Sequence, residues 1–383
     1  MNVYLDNAST TFPKPKVVAD SIYDYLINVG GNANRANYSN SLESNRKLLL
    51  ARETIAEFFK FPKFENVIFT NNVTLSLNML LKGILAFGDH VISSTMEHNS
   101  VLRPLKDCEI TMGVEVDLVK GNEFGFIYPN DIEKLIKPNT KLVVLSHASN
   151  VTGSIQQIEE IGLICSKAKV YFIIDSAQSA GVIDIDMKKV HANAIAFTGH
   201  KSLLGPQGIG GFIIDDTLNT ICLPIISGGT GSLSHSLDQP TFLPDKFESG
   251  TLNMPGIIGL LSGIDYINNV GIDSIREHII YLRNLLLCGL KNIEGIIVYG
   301  DPNNFNSTSC LSFNYKDFDP SEVAFFLESK GIKTRSGLHC APLAHSSIGT
   351  YPKGTIRLSL SLFNTKQEVI YTIDTINNLK YHF

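Results

Sequence analysis

The sequence predicts an α/β protein: a mostly parallel sheet with helices on both faces, followed by a smaller α+β C-terminal unit. Three observations predict it. Short β-rich runs alternate with helical patterns from about residue 48 to 215. Those runs are apolar along their whole length, which suits strands buried on both faces. The 383 residues, 44% of them hydrophobic, exceed what a single ordinary core takes up.

In chain order the expected strands lie at 67–69, 91–93, 142–145, 171–174 and 194–197. Too few residues separate Phe197 from the apolar run 211–214 for a crossover helix, so this last pair is expected to be antiparallel. Residues 216–250 have no clear period and carry Gly228-Gly229-Thr230-Gly231, Pro240 and Pro244, the composition of a loop-rich excursion near a site. Helical pattern resumes after Pro255. The second unit begins with an amphipathic helix at 275–290 and continues with strands at 296–298 and 310–313. A helix at 321–330, a loop at 335–354, a strand at 355–359 and a helix from about 366 complete it. The expected division is an N-terminal segment 1–15 packing with the small domain, a large domain 16–255, a connecting helix 256–275 and a small domain 276–383.

A formal net charge of −5 with no long basic run argues against a nucleic-acid surface and for small-molecule ligands. The first residues hold no basic segment followed by an apolar one, and no apolar stretch reaches membrane-spanning length, so a cytoplasmic protein without a membrane partner is expected. Six scattered cysteines (Cys108, Cys165, Cys222, Cys288, Cys310, Cys340) form no C-x-x-C pair and suggest neither a disulfide framework nor a metal site.

Lys201 follows the apolar strand in Ala196-Phe197-Thr198-Gly199-His200-Lys201, at the mouth of a glycine-rich turn. The neighbouring strand ends in Asp175. A lysine able to form a Schiff base and an aspartate able to pair with a pyridinium nitrogen are the minimum set for pyridoxal 5'-phosphate chemistry. Alone, each also reads as a solvated lysine or a helix-capping aspartate.

Other strand ends point the same way. Asn71-Asn72-Val73-Thr74 precedes an apolar helix, so backbone N–H groups and the Thr74 hydroxyl suit a phosphate, or simply cap the helix. His98 follows the strand at 91–93, where an imidazole can stack on a flat ring or merely sit at the surface. Asn150 can donate to a ring hydroxyl or serve a turn. Cys340 lies in a polar loop, Arg335-Ser336-Gly337-Leu338-His339-Cys340-Ala341-Pro342, as an accessible and activatable thiol does. Arg357 alternates out of an apolar strand, suited to fork a substrate carboxylate or to make a structural ion pair.

With these residues assembled, the sequence closely resembles class V aminotransferase-fold enzymes, and among them the cysteine desulfurases and selenocysteine lyases of group II type. The resemblance runs through Tyr4-Leu5-Asp6-Asn7-Ala8, Met96-Glu97-His98, Ser149-Asn150, Asp175-Ser176-Ala177-Gln178, Thr198-Gly199-His200-Lys201, Phe247-Glu248-Ser249-Gly250-Thr251, Arg335 to Pro342 and Arg357 to Thr365. It implies the fold type I of pyridoxal-phosphate-dependent transferases, with a mostly parallel seven-stranded sheet. It also implies that Lys201 carries the cofactor, Asp175 pairs with its ring nitrogen, Gln178 and Asn150 address the ring hydroxyl, and His98 stacks on the ring. Val73, Thr74, Thr198 and His200 would hold the phosphate, joined by Thr251 from the other subunit of a homodimer. Arg357, with Asn150, Arg335 and Ala8 beside it, would bind the substrate.

Lys201, His98 and Cys340 are then the expected catalytic residues. The resemblance implies that L-cysteine would be converted to L-alanine, with the sulfur passing to Cys340 as a persulfide and onward to an acceptor protein. Three other outcomes stand beside this one: a selenocysteine lyase, an aminotransferase in which Cys340 has no role, and a sulfur-delivery scaffold without turnover. The sequence departs from the family pattern at Asn72, Val73, Leu338 and Asn34.

Overall fold

The structure is a computed structural model that describes residues 1–33, 38–301 and 307–379. After the short β1 (Val3–Tyr4), the chain builds a large sheet from β2 (Val67–Thr70), β3 (His90–Ser94), β4 (Glu115–Val119), β5 (Thr140–Ser146), β6 (Tyr171–Asp175), β7 (Ala194–Thr198) and β8 (Gly210–Ile214). Its order is β2-β8-β7-β6-β5-β3-β4. β8 runs antiparallel to both β2 and β7, and the other neighbours pair in parallel. The expected antiparallel pair beside the lysine turn is therefore present.

Both faces are covered, and the strand period of two divides their side chains. On β6, Phe172 and Ile174 enter a core shared with Leu48, Ile161 and Leu260 from the helices Ser39–Phe58, Ile158–Ala168 and Met254–Val270. Ile173 points the other way, to Leu77, Leu80 and Leu105 of the helices Val73–Ile84 and Asn99–Met112. β4 was not foreseen. It is one of the two edge strands, its outward Glu115 and Asp117 both paired with Lys137 at 2.7 Å, so it lacks the continuous apolar run of its neighbours.

The second sheet contains β9 (Ile296–Tyr299), β10 (Cys310–Tyr315), β12 (Arg335–Gly337) and β13 (Thr355–Ser359), antiparallel throughout in the order β12-β13-β10-β9. β11 (Ile332–Lys333) pairs in parallel with β1, and Val3 and Leu5 lie in the same core as Leu282, Leu286, Phe313 and Leu358. The first residues of the chain are thus part of the C-terminal core.

Two segments expected as loop contain regular structure. Residues 335–354 hold β12 and the helix Pro342–Ser347, and residues 216–250 open with the helix Asp216–Ile221, capped by Asp215. Both helices are six residues long, too short to print a period on the sequence. Among the described residues no helix is long and apolar enough to cross a membrane. Asn34 lies outside the described residues.

Candidate active site

A cavity of about 320 Å³ opens at the C-terminal ends of β5, β6 and β7, where open α/β sheets place their ligands. Lys201, Asp175, His98 and Asn150 all line it. So do Val73, Thr74, Thr198 and His200 at one end, and Gln178, Ala8, Arg335 and Arg357 at the other. Two expected site residues are absent from the lining. Thr251 is exposed on the surface of its own chain. Cys340 is exposed in an adjoining cleft, whose walls share Thr74, His98 and Ser100 with the cavity.

Lys201 is placed by the turn between β7 and β8. The N–H of Gly199 bonds the Ile209 carbonyl at 2.9 Å, and a Cβ at position 199 would meet the Ile209 side chain at 2.8 Å, so glycine is needed to close the turn. The N-terminal segment fixes the other side. The Thr11 N–H, the Thr10 hydroxyl and the Lys14 ammonium all donate to the His200 carbonyl, at 3.1, 3.1 and 2.6 Å. Burial lowers Lys201 to about 8, opposed by the Asp175 carboxylate. Burial in turn raises Asp175, against the Ala177 N–H that donates to its Oδ1 at 2.9 Å.

His98 caps the helix Asn99–Met112. The Ser100 N–H donates to His98 Nδ1 at 3.0 Å, which makes Nδ1 the acceptor and leaves the ring proton on Nε2. Burial first, then the cations Lys201, Arg335 and Arg357, lower this histidine to about 4, so the ring is neutral. Beneath it lies Glu97, fully buried, accepting from the Ser94 hydroxyl at 2.5 Å and the Ser146 N–H at 2.7 Å and raised by burial to about 7. Glu97 stood in a quoted motif with no role, because a carboxylate between Met96 and His98 has no periodic signature.

At the end lined by Val73, Thr74, Thr198 and His200, Asn72 caps the helix Val73–Ile84 by accepting from the Leu75 N–H at 2.9 Å. The capping alternative therefore holds for Asn72, which lines the cavity together with Val73 and Thr74. Thr198 Oγ1 and His200 Nδ1 are buried there without a hydrogen-bond partner. Burial, with Lys201 and Lys14, lowers His200 to about 4.

At the opposite end Arg357, 1% exposed, donates from Nη1 to the Asn150 carbonyl at 3.0 Å and from Nη2 to Asp6 at 2.8 Å and to Ser9 at 2.9 Å. Its Nε has no partner. Asn150 spends an amide proton on the His339 carbonyl, and Gln178 one on the Ala8 carbonyl at 3.0 Å. The Ala8 N–H donates to Ser359 Oγ. Arg335 bridges Ser9, at 3.0 Å, and the Cys340 sulfur, at 3.6 Å. Ser9 was not foreseen as a site residue; a serine in a tight turn carries no mark distinguishing it from a turn former.

These features fit pyridoxal phosphate. Two orphaned buried polar atoms and a helix N-terminus face one end for the phosphate. The buried Asp175 carboxylate, raised by desolvation and relieved only in part by the charge of Lys201, can take a ring-nitrogen cation as its partner.

The sequence profile of the family described as Aminotransferase class-V matches residues 3–371. The chain is 36% identical to a probable cysteine desulfurase of Methanothermobacter thermautotrophicus, over 99% of this chain and 94% of that protein. It is 33% identical to a probable cysteine desulfurase of Pyrococcus abyssi, over 96% and 91% respectively. Among solved structures, the apo structure of a cysteine desulfurase from Thermococcus onnurineus NA1 matches with a TM-score of 0.95 at 33% identity, covering 100% of this chain and 95% of that one. A cysteine desulfurase of Escherichia coli matches with a TM-score of 0.90 at 26% identity, with the same coverages.

Proposed function

The chain belongs to the class V aminotransferase family, and we propose that within it the protein is a pyridoxal-phosphate-dependent cysteine desulfurase that converts L-cysteine to L-alanine. The observation that carries this reading is one cavity holding Lys201, Asp175 and Arg357, with an exposed thiol, Cys340, in the cleft that adjoins it.

When bound, pyridoxal phosphate supplies a ring that stores the electron pair released at the substrate Cα. Asp175 would hold the proton on the ring nitrogen, and that cation would stabilise its buried carboxylate against desolvation. Thr198, His200 and the N–H groups at the start of the helix Val73–Ile84 would take the phosphate. Neutral His98 would stack against the ring. Arg357 offers its unpartnered Nε to the substrate carboxylate. Lys201, held at about 8, is in part a free amine near neutral pH and takes the α-proton. The Cys340 thiolate then attacks the substrate sulfur. An S–S bond forms as the C–S bond breaks, the carbon keeps the bonding pair and gains a proton, and the products are alanine and a persulfide on Cys340.

Thr251 has no place in the cavity of its own chain, which supports a homodimer in which it reaches the phosphate of the partner. Exposed Tyr23, Leu26, Ile27, Leu42 and Leu237 offer apolar surface for such an association. The cysteine desulfurase names of the relatives support L-cysteine as substrate, and a sulfur-acceptor protein is the expected recipient.

A second reading, selenocysteine lyase, is favoured by Cys340 standing outside the cavity lining, because selenium can depart without an attacking thiol. One experiment separates the two. Wild type and Cys340→Ala are given L-cysteine and L-selenocysteine, and alanine is measured with sulfide or selenide. The desulfurase reading requires the variant to lose cysteine turnover by orders of magnitude while retaining much of its selenocysteine cleavage. Wild-type cysteine turnover in the variant would overturn it.

A further inference from the structure

Ser9 Oγ lies 3.0 Å from Arg335 Nη1, 2.9 Å from Arg357 Nη2 and 2.7 Å from Asp6 Oδ1. A hydroxyl has one proton and two lone pairs, and here every role is forced. A carboxylate can only accept, so the proton goes to Asp6. The guanidinium groups can only donate, so both lone pairs are taken. The hydroxyl is saturated and holds two cations side by side.

The two arginines depend on it unequally. Arg357 keeps the Asp6 carboxylate and the Asn150 carbonyl without it. Arg335 has no carboxylate within ion-pair distance among the described residues, and its second terminal nitrogen, Nη2, reaches the Cys340 sulfur. Ser9 is therefore the fixed point from which Arg335 extends to the thiol.

We propose that Ser9 is a positioning residue: its hydroxyl holds Arg335 against the Cys340 sulfur, and so links the arginine that faces the substrate carboxylate to the thiol that takes the sulfur. The inference rests on the desulfurase reading for its place in the reaction, but the contact itself is testable without turnover. Ser9→Ala releases Arg335 and leaves Arg357 anchored. With L-cysteine the loss then falls on kcat, by about tenfold, with KM within about twofold of wild type.

The independent measurement is alkylation of Cys340 in the protein loaded with pyridoxal phosphate. The Cys340 peptide is followed by mass spectrometry, so that exposed Cys288 does not interfere. Anionic iodoacetate and neutral iodoacetamide are compared at one pH and low salt. A guanidinium held at the sulfur favours the anionic reagent, so the iodoacetate-to-iodoacetamide rate ratio should fall at least about threefold in Ser9→Ala. It should fall likewise in Arg335→Gln and recover in Ser9→Thr, which restores the hydroxyl. An unchanged ratio in Ser9→Ala overturns the proposal, whatever happens to turnover. A wild-type protein that leaves cysteine intact overturns the desulfurase reading instead, and the alkylation ratios still decide the role of Ser9.

Discussion

The side-chain amide of Asn150 donates to the carbonyl of His339 at 2.7 Å, so the loop after β5 grips the backbone one residue before Cys340. That backbone needs gripping. His339 and Cys340 have φ of 49° and 57°, both in the left-handed region, where a residue with a side chain pays about 1 kcal/mol or more. The Asn99 N–H holds the next carbonyl, that of Cys340, at 2.8 Å. Two loops of the large sheet thus impose the conformation that presents the thiol.

Asn150→Ala should accordingly leave the His339 carbonyl unsatisfied and let the strained pair relax. The expected cost is about 1–2 kcal/mol of unfolding free energy, measured by urea titration. Faster amide hydrogen exchange confined to residues 338–341 should accompany it. Unchanged exchange there would show that the Cys340 loop holds its shape without Asn150.

The parts of this molecule that the sequence revealed share one physical property: each repeats a pattern or ends one. β5, β6 and β7 are apolar on both faces, so their runs are continuous, and Asn150, Asp175 and Lys201 stand out because they follow where those runs stop. β4 escaped because an edge strand with Glu115 and Asp117 facing Lys137 resembles a polar loop. Ser9 and Glu97 escaped for another reason. Their meaning lies in partners far along the chain, Arg335 and Arg357 for the first and Ser146 for the second, and no local spacing encodes a contact of that range.

Arg52 and Glu248 form a buried ion pair, 5% and 4% exposed, bonded at 3.0 and 2.5 Å, and Glu248 Oε1 also accepts from the Phe69 N–H at 2.7 Å. The pair ties the segment leading to Thr251 onto the helix Ser39–Phe58 and β2. Glu248→Ala strands a guanidinium in the interior and should cost about 3–5 kcal/mol. Arg52→Met combined with Glu248→Leu removes both charges and should cost clearly less than the single change. Equal losses for the two proteins in thermal unfolding would show that the ion pair is not the fastener.

Acid should destabilise the ligand-free protein well before its exposed carboxylates are neutralised. Burial holds His147 at about 3 and His98, His200 and His345 at about 4 and pushes His339 lower still, so all five are neutral in the fold. Unfolded, they take up protons below about 6.5, and stability falls as pH drops from there toward the folded values. Glu97, raised to about 7, and Asp175, also raised, act oppositely, since each binds its proton more tightly in the fold. Five histidines outweigh two carboxylates, because between pH 7 and pH 5 each of them takes up most of a proton only when the chain unfolds. Guanidinium unfolding at pH 7 and pH 5 should show a loss of about 3 kcal/mol or more at the lower pH; equal stability at both would refute the balance.

Thr198 gives the sharpest test of the cofactor assignment, because ligand-free stability and cofactor affinity should move in opposite directions. Its hydroxyl is buried at the end of β7 without a partner, a cost of about 1–3 kcal/mol that a structural residue has no reason to carry. Thr198→Val keeps the shape and removes the unpaired oxygen, so the ligand-free protein should unfold at equal or higher urea concentration. The same change deletes a donor to the phosphate, worth about tenfold or more in affinity when the acceptor is charged. Dialysis against graded pyridoxal phosphate, followed by borohydride reduction and peptide mapping, reads both retention and position. In wild type the pyridoxyl group should sit on Lys201, and in the variant it should sit there too but require a higher cofactor concentration. A label on another lysine would remove Lys201 from its role, and unchanged retention in Thr198→Val would mean that the orphaned hydroxyl faces something other than the phosphate.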